Sequence, residues 1–458
     1  MKKTILRLIT MTLAAAGLVP AEVPGVIAIR NARIHTAAGP DIEGGTVLIR
    51  DGLISAVGTN VAIPGDAWVV EGNGLSVYPG LIDALSKWGI PSNGAPAPTG
   101  GGGRFASPPG PGPLADPTPA PAPSTGPVAM GPEDRPSNTS WVNAQDLVRS
   151  SDRSIVSARS AGFTTAVTYP TTGIFAGQGA AINLAGDKPG QMVVAAPTGL
   201  YLSLNVRSFS SFPGSLMGVI AYIRQVYLDA DYYQAAQKAY AASPRGKRRP
   251  DYDRALEGVL ATPRILLPAT RNVEIERMLH FAAELKRPAI LYGGHEAYRS
   301  TDALKKAGVP LLVDLKWPEA PREADPDHQD SLRTLEMREL APGVPARLAK
   351  AGVQFALYSG GVERPADLRA AVRKAITAGL TEEQALRALT LTPAEIYGVA
   401  DRIGSIEPGK IANLVITDGN LFAESSKIKF VLIDGVKYEP VPEPAGPASG
   451  ATRPEVIQ

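Results

Sequence analysis

The feature that most constrains this chain is the rhythm of its text after Trp141. Short apolar runs at 164–169, 191–196, 265–269, 289–293, 310–315 and 354–359 read as buried strands. Stretches with helical spacing, such as 273–285, 296–306 and 365–378, lie between or after them. Strands alternating with helices imply a parallel sheet with helical crossovers, and this length suits an α/β barrel. A helical insertion at 215–260 interrupts the rhythm. It contains the basic run 245–249 (RGKRR), expected to be a solvated loop and not a binding patch.

Both ends of the chain are written differently. Segment 25–78 is short-period and rich in Val and Ile, with Asp51-Gly52 as a hairpin turn, and the same pattern returns at 412–417 and 428–436 with Asp434-Gly435. The expectation is a small β-sandwich built from both termini (22–78 and 401–440) around a barrel at 79–400, with a loose tail at 441–458. Segment 91–136 has 14 prolines and 9 glycines among its 46 residues, too few apolar groups to offset the entropy of ordering, and is expected to be an insertion in the barrel.

The first residues carry an address. Lys2, Lys3 and Arg7 precede an apolar run of about 11 residues, and Ala21 supplies a small residue after it. That order predicts a signal peptide over 1–21 and export to the periplasm or the outside, while the run falls short of the ~20 residues of a permanent membrane anchor. A net charge of +2, from 46 basic and 44 acidic residues, gives no field that would gather nucleic acid. With no cysteine, thiolate metal sites and cysteine nucleophiles are excluded, and only His35, His280, His295 and His328 could supply imidazole.

Three separated motifs carry a family resemblance. Val77-Tyr78-Pro79-Gly80-Leu81-Ile82-Asp83 resembles the start of the first barrel strand in the amidohydrolase superfamily. Residues 391–398 (LTPAEIYG) with 404–415 (GSIEPGKIANLV) resemble its passage from the last barrel helix into the small β domain, and 160–165 (SAGFTT) falls between. The imidazolonepropionase-like members are the nearest subgroup. The resemblance implies a distorted (β/α)8 barrel with a composite β-sandwich, and one or two zinc ions that activate water for hydrolysis of non-peptide carbon–nitrogen bonds. Its ligands would be His-x-His after the first strand, one His each from strands five and six, and an Asp from strand eight.

The chain departs from that pattern at every ligand position. Leu85 and Lys87 stand where His-x-His is expected, Pro268 at strand five, Gly293 at strand six and Gly360 at strand eight. Leucine, proline and glycine side chains offer no donor, and a protonated lysine repels a divalent cation. His35, His280 and His328 are expected in structural or solvent-exposed roles. Lys87, His295, Glu296, Asp314 and Ser359 remain as candidates at the barrel mouth, with Lys87 expected to pair with Asp314 or Glu296. The reading is an exported, catalytically degenerate amidohydrolase-superfamily member that needs no cofactor. It would bind a small molecule or peptide, or support an active paralogue or form a homodimer. The alternative is an active hydrolase with a reorganised site.

Overall fold

The computed structural model describes residues 25–91, 135–206, 212–320, 329–360, 362 and 364–441. The expected signal peptide, His328 and almost all of the Pro/Gly-rich segment and the tail lie outside the described residues. Among the described residues no helix is long and apolar enough to cross a membrane.

The N-terminal segment forms β1 (Val26–Ile34), β2 (Ile42–Arg50), β3 (Leu53–Gly58), β4 (Trp68–Glu71) and β5 (Ser76–Pro79). Asp51 and Gly52 have φ of 50° and 78°, the double left-handed geometry that a two-residue hairpin needs to match the strand twist. The chain then continues through β6 (Leu81–Ser86), β7 (Phe163–Thr168), β8 (Phe175–Gln178), β9 (Ala180–Asn183) and β10 (Val193–Ala195). Next come β11 (Leu200–Leu202), β12 (Ile265–Ala269), β13 (Ala289–Gly293), β14 (Leu311–Asp314) and β15 (Phe355–Tyr358). Last are β16 (Leu414–Thr417), β17 (Ile428–Ile433) and β18 (Val436–Tyr438).

The two ends of the chain meet in one eight-stranded mixed sheet, ordered β18-β17-β16-β5-β1-β2-β3 with β4 also on β1. In the described residues the strands of the expected sandwich are hydrogen-bonded into one composite sheet that branches at β1. The antiparallel pairing of β16 with β5 joins the terminal segments, and the two Asp-Gly turns abut: a Cβ on Gly52 would lie 2.9 Å from the Asp434 carbonyl oxygen.

The middle of the chain is α/β with mixed sheets. One runs β10-β9-β7-β6 and the other β15-β14-β13-β12-β11-β8. Pairing is parallel from β11 through β15 and between β6 and β7. The antiparallel β8 and β9 were not legible as strands. They join through Gly179, where any Cβ would strike the Tyr169 ring at 2.2 Å, so this sharp passage is restricted to glycine. The run 191–196 was expected as a parallel strand. Only its second half is strand, antiparallel to β9, because Pro189–Met192 closes a helical turn. The two sheets are tied where Ser359, following β15, donates its amide to the Asp83 carboxylate on β6 at 2.9 Å.

Side chains alternate across these strands as the period of two requires. Leu266, Ile290, Leu312 and Ala356 belong to one buried cluster, while their neighbours Leu267, Leu291, Val313 and Leu357 belong to another. The segment expected as a helical insertion is the crossover between β11 and β12. Helix Leu216–Ala242 is capped by Ser215, whose hydroxyl accepts from the Gly218 amide, and buries Val219, Ile223, Val226 and Ala230 at helical spacing. The basic run 245–249 is exposed beyond its end.

Candidate ligand site at the strand ends

The alternation fixes which residue of each strand end faces inward. On β12 to β15 the register that places Leu266, Ile290, Leu312 and Ala356 in the interior cluster also places Pro268, Tyr292, Asp314 and Tyr358 inward, two residues nearer the C-terminal ends. Tyr201 on β11 and Tyr169 after β7 complete the set. Tyr201, Tyr292 and Tyr358 therefore stand around one strand-end opening, and the fully buried Tyr169 packs against Tyr201. Tyr201 and Tyr292 stack with centroids 5.2 Å apart and planes at 24°, and Tyr169 lies 6.0 Å from Tyr201. Burial raises the hydroxyl pKa of each, that of Tyr169 to about 12, so all stay protonated at neutral pH. The cavity bordered by Tyr201, Tyr292 and Tyr358 measures about 310 Å³ and is also lined by Lys87, Trp88 and Ser359.

The positions expected from sequence come out as follows. Leu85 is buried in the interior cluster, and Pro268 faces inward without a donor. Gly293 falls on the outward side of β13 with φ of 118°, so Tyr292 and not Gly293 occupies the mouth-facing place. Gly360 has φ of 63°, and a Cβ there would lie 1.7 Å from Asp314 Oδ1. The Asp314 carboxylate thus fills the volume that a side chain on residue 360 would need. It accepts from the Lys316 amide at 2.7 Å and the Tyr358 hydroxyl at 3.4 Å, and burial raises its pKa.

His295 is buried, and its Nε2 lies 3.1 Å from the Asp314 carbonyl oxygen. A carbonyl only accepts, so Nε2 carries the proton and is not offered to a ligand. Glu296 accepts from the Asn272 amide, the first residue of helix Asn272–Leu285, and from both nitrogens of the Arg333 fork at 2.8 and 2.7 Å. The Arg333 hydrogen bonds hold its carboxyl below the usual range. Glu296 is a structural tie, not a mouth residue. The expected partnership of Lys87 with Asp314 or Glu296 does not form: both carboxylates are engaged elsewhere, and Lys87 is exposed. His35 stacks on Tyr78 at 4.2 Å and contacts Asp41 at 2.7 Å, and His280 is exposed on its helix.

Asp83, the last residue of the 77–83 motif and not among the expected site residues, is the most perturbed carboxyl among the described residues. It is fully buried, and Oδ1 accepts from the Ser359 amide at 2.9 Å and the Leu85 amide at 3.4 Å, while Oδ2 has no hydrogen-bond partner. Burial pushes its pKa up to about 7 against the pull of those amides and the Ser359 hydroxyl, and the charge of Asp314 adds to the rise. The tyrosines had a signal that sequence reading passed over. Leu200-Tyr201, Leu291-Tyr292 and Leu357-Tyr358 repeat one dipeptide at three strand ends.

Residues 269–437, from the end of β12 into β18, match the amidohydrolase family. An amidohydrolase from Thermotoga maritima, 26% identical over 90% of this chain and 100% of its own, superposes with a TM-score of 0.71. The chain belongs to the amidohydrolase superfamily. An adenine deaminase from Desulfotalea psychrophila is 41% identical over 64 residues, which is 14% of this chain and 10% of that protein. A prolidase solved with N-methylphosphonate-L-proline shares the fold, with 14% identity over 91% of this chain and 100% of its own and a TM-score of 0.52.

Members of the superfamily usually bind metal. A catalytic zinc needs three protein donors. Among the described residues no three His, Asp or Glu side chains come together in a way that could hold an ion. At the mouth, Asp83 Oδ1 and the Asp314 carboxylate accept backbone amides, His295 Nε2 donates to a carbonyl, and the remaining places hold Leu, Pro and Tyr. This donor set does not fit a divalent cation.

Proposed function

We propose that this amidohydrolase-superfamily protein binds a small organic molecule at the mouth of a distorted (β/α)8 barrel, in a pocket walled by tyrosines where relatives would hold metal. The observation that carries the reading is the trio Tyr201, Tyr292 and Tyr358 lining the cavity at the strand ends, backed by the buried Tyr169. Aromatic walls with a few polar groups are the usual make-up of a small-molecule site. The Asp83–Ser359 bond that ties β6 to the end of β15, and the Gly179 link from β8 in one sheet to β9 in the other, support closure into a barrel. The basic, apolar, small order of residues 1–21 supports export.

A second reading, hydrolysis of a non-peptide carbon–nitrogen bond by a reorganised site, is favoured by the Ser359 hydroxyl at the cavity wall beside the buried Asp83 carboxyl. One experiment separates the two. Metal analysis of the purified mature protein is combined with a hydrolysis screen over cyclic amides and acyl amino acids, with and without chelator. Binding without turnover and without stoichiometric zinc is expected. Stoichiometric zinc with chelator-sensitive turnover would overturn the proposal, and metal-independent turnover lost in Ser359→Ala would establish the second reading.

A further inference from the structure

The lining of the mouth cavity carries a charge preference. Among the described residues, Lys87 is its one charged side chain. It is exposed, and no described acid pairs with it, since Glu296 is taken by Arg333, Asp314 by Tyr358 and the Lys316 amide, and Asp83 by the Ser359 and Leu85 amides. Tyr292 donates its hydroxyl proton to the Leu202 carbonyl and Tyr358 donates to Asp314, so these two walls offer ring surface and no free donor. The stacked pair Tyr201–Tyr292 gives the cavity an aromatic wall, and a cavity of about 310 Å³ is at the small end of ligand sites, the size of a fused-ring molecule.

We infer that the cavity takes a planar organic monoanion, an aromatic or conjugated carboxylate whose ring lies along the tyrosine wall and whose carboxylate meets the Lys87 ammonium. The inference rests on the small-molecule reading of the same pocket and adds the charge and shape of the occupant. A neighbouring cleft of about 840 Å³ shares Lys87, Trp88 and Thr171 with the cavity and gives room for a substituent beyond the ring. It is lined by Arg149 as well as Asp146 and Asp152, so it carries both signs and leaves the preference with Lys87.

The test is calorimetric or fluorescence titration of the full chain with three ligands of one ring system: 2-naphthoate, 2-naphthamide and 2-naphthylmethylamine. The acid is expected to bind about tenfold or more tightly than the amide, the scale of a charge-assisted contact, and added salt should weaken the acid alone. Lys87→Met should abolish the preference while leaving amide binding in place, Lys87→Arg should keep it, and Tyr292→Leu should weaken acid and amide together. If the amide or amine binds as tightly as the acid, or Lys87→Met leaves the preference intact, the anion assignment fails and the pocket reading stands. If none of the three binds, both fail.

Discussion

Replacing Asp83 by Asn tests the electrostatics beneath the pocket through stability. The folded carboxyl is raised from 3.8 to about 7 by complete burial. A folded state that holds its proton more tightly than the unfolded chain loses stability as pH climbs from about 4 to 7, and is flat above. Three units at about 1.4 kcal/mol each amount to about 4 kcal/mol, of which roughly 3 kcal/mol falls between pH 5 and pH 8. Asparagine can keep its oxygen on the Ser359 and Leu85 amides, but it puts an NH2 where Oδ2 lacks a partner, costing about 1–3 kcal/mol at either pH. The variant should therefore be less stable than wild type at pH 5 and equal or more stable at pH 8. Urea unfolding at both pH values measures this. Asp314, also raised, leaves some pH dependence in both proteins, so the quantity that decides is the difference between them. A difference that stays constant from pH 5 to pH 8 would refute the reasoning.

Two further outcomes follow from close approaches. Gly360→Ala places a Cβ 1.7 Å from Asp314 Oδ1 and should destabilise by about 2 kcal/mol or more. In an Asp314→Ala background only the left-handed φ cost of about 1–2 kcal/mol should remain, and additive unfolding energies in the double-mutant cycle would count against the shared volume. Gly52→Ala, at φ of 78° and facing the Asp434 carbonyl, should cost about 1–3 kcal/mol, and an unchanged thermal melt would show that the two Asp-Gly turns do not touch in solution.

Much of the architecture was legible because it rests on local periodicity. The runs at 265–269, 289–293, 310–315 and 354–359 are predominantly apolar, and parallel strands buried on both faces need that composition. Both hairpins were announced by Asp-Gly, since few other pairs tolerate two positive φ values in succession. The antiparallel β8 and β9 escaped because four-residue strands written FAGQ and AAIN are too short and too rich in small residues to carry a periodic signal.

The sequence by itself places residues without a side-chain metal donor at 85, 268, 293 and 360. Leucine and proline side chains carry no metal donor in any fold, and a glycine at 293 or 360 has no side chain to supply one. Only the tertiary structure decided what stands in their place. Whether Tyr292 or Gly293 faces the mouth depends on strand register, which one residue reverses. That Asp314 fills the space beside Gly360 depends on two strands 44 residues apart lying side by side. The carboxyl of Asp83 is an ordinary acid in the text. It becomes perturbed only when packing removes its water and leaves two amides and a hydroxyl in exchange.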